Sequence, residues 1–192
     1  VSTRERILDA AERILRTRGV VQATTKEIAQ QTGVSEPTLY KYFADKERLL
    51  LAVLQERLPS PARVAARPGE GDVVANLVEL THAMLDFYQR SFPMLGALLA
   101  DPQRMAAHRE AMRGLGAGPE KALEPFAAYL RAEQERGRIA ADADPDACAA
   151  LLVGACFQQA FLRLYAQGPA ATAAPRSQAE ALVRALAGAF VR

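Results

Sequence analysis

The stretch from Thr24 to Phe43 constrains this chain more than any other. It reads as two short helices joined by a tight turn. Thr24 or Thr25 is placed to cap the first helix, and Ser35 to cap the second. Gly33 falls where the first helix must end with φ > 0. Ala29 is small enough for the two helices to cross closely, and Val34 and Leu39 plug the space between them. The second helix is left with Glu36, Pro37, Thr38, Tyr40, Lys41 and Tyr42 rather than a second apolar face. Hydroxyl, phenol and amine groups on a helix beside such a turn are what a helix-turn-helix presents to the major groove of DNA.

The rest of the chain also reads as helix. Ile7, Ala11, Ile14 and Leu15 give a stripe from about Thr3 to Arg18, which Gly19 is expected to stop. Asp45 caps a fourth helix whose Leu49, Leu50, Val53 and Leu54 face inward. From Pro59 to Asp72 the composition turns to Pro, Gly, Ala and charge, which marks a connector. Beyond it, the spacing predicts a helix over Val73 to Gln89 and a restart at Ser91-Phe92-Pro93 that runs to about Ala100. Asp101-Pro102 and Asp144-Pro145 each pair a cap with a proline at the first helical position. They open helices to about Arg113 and Gln167, with another predicted from Glu120 to Arg136 between them. Ser177-Gln178-Ala179-Glu180 has the form of a capping box. It introduces a last helix with Leu182, Val183, Leu186 and Phe190 on one side. Period-two runs of Val and Ile are absent, so the expected class is all-α. Residues 1–57 would form an N-terminal three-helix helix-turn-helix domain, and residues 58–192 a C-terminal helical domain.

The net charge of +2 is small for a DNA binder. Residues 1–57 hold 10 Lys and Arg against 8 Asp and Glu, and residues 58–192 hold 14 of each, so the whole excess lies with the helix-turn-helix. That suffices if a few cations face phosphate. No stretch has the ~18 uninterrupted apolar residues of a membrane span, and Val1 to Arg18 is a charged amphipathic pattern, not a secretory signal. Cys148 and Cys156 lie about 12 Å apart along one expected helix, too far for a disulfide. They read as reduced core residues, which fits a cytoplasmic location. Glu79 and His82 have the Glu-x-x-His spacing of carboxylate-bridged metal bundles, but those need two copies. Gly114 to Gly118 lacks the preceding strand and the Lys-Ser/Thr of a phosphate loop. No Gly-x-Ser-x-Gly, His-Glu-x-x-His or Cys-x-x-Cys is present. The expectation is a protein that is not an enzyme, with no metal and no cofactor.

Val34 to Phe43, followed by Asp45-Lys46-Glu47, closely resembles the signature of TetR-type transcriptional regulators. The resemblance covers residues 1–57; beyond them the likeness is in length, helicity and a long final helix pair. It implies that Thr25 bonds a phosphate at the start of the second helix, where the dipole favours an anion. It also implies phosphate contacts for Tyr40, Lys41, Tyr42 and Lys46, and places Glu36, Pro37 and Thr38 at the tip, within reach of base edges. Glu36 either accepts from a cytosine amine or serves only the helix dipole. Phe43 belongs to the core.

The same resemblance implies a homodimer on a palindromic DNA operator. The last two helices are the expected interface, through Ala147, Leu151 and Ala155 on one and Leu182, Leu186 and Phe190 on the other. It further implies a pocket for a small-molecule effector within the second domain. Met84, Phe87, Tyr88, Phe126, Tyr129, Gln158 and Phe161 are the candidate lining. Gln158 and Gln159 interrupt an apolar stretch, and a buried amide needs a partner. The expected function is a ligand-responsive repressor released by a mostly apolar molecule. The alternatives are a DNA-binding regulator without a small-molecule ligand and a helical small-molecule carrier.

Overall fold

The computed structural model describes residues 1–57, 64, 66–114, 116, 118–168 and 173–188, with the backbone alone at helical positions 18–22, 93, 94 and 97. Among these residues there are nine α-helices and no strand: α1 (Thr3–Gln22), α2 (Thr25–Thr32), α3 (Glu36–Tyr42), α4 (Lys46–Glu56), α5 (Val73–Leu99), α6 (Pro102–Gly114), α7 (Glu124–Glu135), α8 (Pro145–Gln167) and α9 (Arg176–Ala187). The all-α class stands. A 3-10 turn over Pro119–Ala122 precedes α7, where the sequence suggested one helix from Glu120.

Short polar side chains start most of these helices. Ser2 and Glu5 bond each other's backbone amides in a capping box that opens α1. Thr24, Ser35 and Asp45 cap α2, α3 and α4. Asp72 accepts from the Ala75 amide at the start of α5. Asp101 and Asp144 cap α6 and α8 ahead of Pro102 and Pro145. The expected box at Ser177 does not form. α9 starts two residues earlier, behind Pro175. Glu180 faces Arg176 instead, at 3.4 Å one turn along the helix.

Two expected breaks are absent. α1 runs through Gly19 to Gln22, and α5 is continuous through Pro93 for 27 residues. Glycine lowers helix stability by only about 1 kcal/mol. A proline removes one backbone hydrogen bond, which a long helix can absorb.

The chain divides into two compact units. One comprises Val1–Leu58, Arg90–Gly116 and Gln167–Ala170; the other comprises Pro59–Gln89, Ala117–Ala166 and Ala171–Arg192. α5 is shared, residues 73–89 belonging to the second unit and 90–99 to the first.

In the first unit, Ile7, Leu8, Ala11 and Ile14 of α1 close over Ile28, Ala29, Leu39, Phe43, Leu49 and Val53. Arg4 and Glu56 form a two-pronged pair at 2.6 and 2.7 Å, and Arg57 bonds Asp9 at 2.7 Å, so the ends of α1 and α4 are tied by charge as well. The Arg4 guanidinium also lies 5.3 Å from the centre of the Phe43 ring.

The core of the second unit is built on Leu77, Leu80, Met84, Leu85, Phe126, Leu130, Leu152 and Cys156. Burial pushes the Cys156 thiol up to about 12, so it stays neutral and unreactive. Both cysteines are free.

Candidate nucleic-acid interface and the interior of the second unit

The turn after α2 fixes how α3 is presented. Gly33 has φ 71° and ψ 27°. Its amide bonds the Gln30 carbonyl at 3.1 Å, and the Val34 amide bonds the Ala29 carbonyl at 3.0 Å. These are the two bonds of a Schellman motif, as the glycine implied. Arg6 of α1 donates to the Thr32 carbonyl beside it, and so closes the end of α2 from outside. Nothing in the pattern around Arg6 announced this role. Leu39 is fully buried, Glu36 and Thr38 are half-buried, and the remaining residues of α3 are exposed.

On that surface Pro37 and Lys41 are exposed, and Tyr40 and Tyr42 are 43% and 45% exposed. The Thr38 hydroxyl sits 2.8 Å from Ser35 Oγ, so it is engaged with the cap. Thr25, at 8% exposure, donates to Glu36 and lies 3.2 Å from the Tyr40 hydroxyl. The half-buried Glu36 carboxylate is therefore bonded to α2. The structure brings Thr25, Glu36 and Tyr40 together and leaves Pro37, Lys41 and Tyr42 in the open. Lys46 differs from Lys41. Its ammonium donates to the Ala23 carbonyl at 2.5 Å. Burial, then the neighbouring Arg104, lower its pKa, with Glu47 opposing.

The residues expected to line a pocket separate into three groups. Met84, Phe126 and Tyr129 are at most 3% exposed and belong to the core. Phe87 and Tyr88 are half-buried against that core and stack edge to face with centroids 5.6 Å apart. Gln158 and Phe161 are on the outside of α8. The expectation of a buried amide at Gln158 is thus corrected. Gln159 is the half-buried one, and it accepts from Gln178 of α9 at 2.6 Å. α8 is apolar around most of its circumference, so its sequence does not say which side faces in.

Tyr129 is held in a network that sequence reasoning missed. Glu133 is a fully buried carboxylate; one oxygen accepts from the Gly69 amide at 3.0 Å, and the other lies 3.4 Å from Arg138. The Tyr129 hydroxyl accepts from the Asn76 amide at 3.0 Å, and that same amide also bonds the Glu70 carbonyl. Burial first, with Glu133 adding to it, pushes the Tyr129 phenol up to about 12. These contacts tie the segment 69–72 and the start of α5 to α7. Glu133 stands among Arg131, Gln134 and Glu135 in α7, so nothing in the sequence singles it out as buried.

His82 bonds the Ala174 carbonyl at 3.0 Å. Among the described residues no three His, Cys, Asp or Glu side chains converge as metal ligands would. α8 is long and apolar enough to cross a membrane by length and composition, yet it carries Gln158, Gln159 and Arg163. Its outer face shows Leu151 at 61% exposure, Phe161 at 49%, Leu162 at 48% and Tyr165 at 84%. Leu182 and Leu186 of α9 are half-buried against their own core, and Phe190 lies outside the described residues.

Residues 7–53 match the family described as bacterial regulatory proteins, tetR family. Residues 75–192 match the C-terminal domain of AefR-like transcriptional repressors. The chain is 27% identical over 137 residues to the uncharacterised HTH-type transcriptional regulator YvkB of Bacillus subtilis, covering 71% of this chain and 70% of the relative. It is 30% identical over 149 residues to the HTH-type transcriptional regulator UidR of Escherichia coli, covering 73% and 70%. The solved structure of Salmonella enterica GusR superposes with a TM-score of 0.70 at 25% identity, over 97% of this chain and 94% of that one.

Proposed function

We infer, from a chain that belongs to the TetR family of bacterial transcriptional regulators, that it is a repressor binding a palindromic operator as a homodimer and released by a small molecule. The observation that carries the DNA reading is the outward face of α3. Pro37, Tyr40, Lys41 and Tyr42 stand exposed on a short helix whose angle is set by the Gly33 turn and whose back is buried through Leu39. Residues 1–57 act as the DNA-binding domain and residues 58–192 as the effector and dimerisation domain. Thr25, Tyr40, Lys41 and Tyr42 meet phosphates, and Pro37 and Thr38 lie nearest the base edges. Lys46 contributes less than Lys41, because one of its donors is spent on Ala23. Such a regulator works in the cytoplasm, where the chromosome lies.

The outer face of α8 supports the dimer. Ala147, Leu151, Gly154, Gln158, Phe161, Leu162 and Tyr165 recur every three or four residues and are exposed. A stripe of this kind, apolar on either side of Gln158, marks an association surface, and small residues at 147 and 154 let a second helix approach. α9 joins through its outer face, while Leu182 and Leu186 serve first to hold α9 to its own unit. Two copies place two α3 helices on successive major grooves, about 34–36 Å apart.

The effector reading rests on Met84, Phe87, Tyr88 and Phe126. One polar group accompanies them. The Thr81 hydroxyl is fully buried with no hydrogen-bond partner among the described residues, one turn before Met84 and two before Tyr88. A mostly apolar molecule with one or two hydrogen-bonding groups fits that set. Because α5 is shared between the units, a ligand that displaces it acts on both; a coupling of ~1–3 kcal/mol would weaken operator binding 5–150-fold.

Selection from a random duplex library tests the core of this reading. A two-fold symmetric sequence should be enriched, with an affinity that falls steeply as salt rises. A chain that enriches no sequence above unrelated duplex is not an operator-binding regulator.

A further inference from the structure

We propose that the Glu36 carboxylate occupies the seat of a DNA phosphate in the free protein and acts as a brake on DNA binding, so that docking must first displace it from Thr25. The inference rests on the reading above that the Thr25 hydroxyl contacts a phosphate. Thr25 Oγ1 carries one hydrogen, and in the structure that hydrogen goes to Glu36 Oε1. The Tyr40 hydroxyl, 3.2 Å from the same oxygen, then has its own hydrogen turned inward, towards Thr25. A phosphate oxygen only accepts. It can bond the Thr25 hydroxyl only after the carboxylate has let go, and Tyr40 only if its hydrogen turns outward.

Position and charge agree with this. Thr25 is the first residue of α2, behind the Thr24 cap. That is where backbone amides and the helix dipole draw an anion. Glu36, the first residue of α3, delivers its own anion to that place from across the turn. A bond to a charged acceptor is stronger than one between neutral groups, so releasing it opposes every DNA sequence alike. This assigns Glu36 a role that neither base reading nor the dipole of α3 provides. The side chain limits binding to unrelated DNA and leaves the operator, with its additional base contacts, as the site that can displace it.

The test is a double-mutant cycle on Glu36→Gln and Thr25→Val, read by fluorescence anisotropy on the selected operator and on unrelated duplex. Glu36→Gln keeps the shape and weakens the acceptor. It should tighten both duplexes by about tenfold and steepen the salt dependence. In a Thr25→Val background that gain should vanish. Glu36→Ala should behave like Glu36→Gln, and thermal unfolding of each variant confirms that the first unit is intact. A loss of operator affinity with unrelated duplex unchanged would show that Glu36 reads a base, and would overturn the brake. No change on either duplex, or a gain that survives in Thr25→Val, would overturn it as well. If Thr25→Val alters neither affinity in a Glu36→Ala background, where no brake remains to be lost with the hydroxyl, the phosphate role of Thr25 fails, and the inference falls with its premise. If Thr25→Val weakens both duplexes and Glu36→Gln changes neither, the phosphate role stands and only the brake is lost.

Discussion

Helices α3 and α8 each hold aromatic side chains out to solvent, but what stands beside those side chains differs. On α3 the aromatics are Tyr40 and Tyr42, with Lys41 between them and polar caps at the start of the helix. On α8 they are Phe161 and Tyr165, with Leu151 and Leu162 on the same side. The first surface can stay wet and meet a charged backbone. The second gains only by meeting a surface like itself. Length separates them too. α3 has 7 residues and takes its position from α2 and the Gly33 turn, whereas α8 has 23 and offers a rigid edge. Aromatic exposure alone therefore says little; the neighbouring groups decide between nucleic acid and a second copy of the chain.

The contrast breaks most visibly at Leu151. A charge there, Leu151→Glu, should yield monomers in sedimentation and reduce operator affinity by about 100-fold or more, since the second reading head no longer binds as part of one particle. Secondary structure should be unchanged, because Leu151 is 61% exposed. Leu186→Glu is the weaker probe. Its half-buried side chain packs on its own core, so unfolding should precede dissociation.

On the α3 side the largest effect belongs to Gly33→Val. A Cβ at Gly33 would meet only Arg6 Nη2, at 3.8 Å. The cost is therefore backbone strain at φ 71° and not a clash, about 1–3 kcal/mol by urea unfolding of the first unit. Lys41→Ala comes next. It should weaken all duplexes nearly equally and lower the salt slope by about one, with Lys46→Ala changing it less. Tyr129→Phe should have the smallest effect. It removes the hydroxyl that Asn76 bonds, so stability should fall by about 1 kcal/mol with operator affinity unchanged.

The same contrast explains how much could be read beforehand. The α2–α3 pair was legible because local chemistry fixes it. Thr24, Gly33 and Ser35 act on backbone within three residues of themselves, and Leu39 has one place to go. The Ser2 to Glu5 box at the start of α1 is equally local. Gly19, Pro93 and Ser177 misled because each carries only a modest local preference: α1 and α5 continue where a break is expected, and Glu180 answers Arg176 instead of Ser177. α8 defeated the reading for another reason. A helix apolar around most of its circumference carries little mark of its inward face, so the sequence offers Gln158 and Phe161 as pocket lining, whereas both are exposed on the outer side of α8. Glu133 escaped because its partners, Gly69 and Arg138, lie in loops whose path no periodicity describes.

The most direct test of the central claim is the stoichiometry and symmetry of DNA binding, measured by sedimentation velocity on the selected operator. Two chains per duplex are expected, with Leu151→Glu giving one chain bound about as weakly as the wild type binds a single half-site. A wild-type complex of one chain per duplex, bound equally well to a half-site, would contradict the account. It would show that α3 reads DNA without the partner that α8 is proposed to recruit.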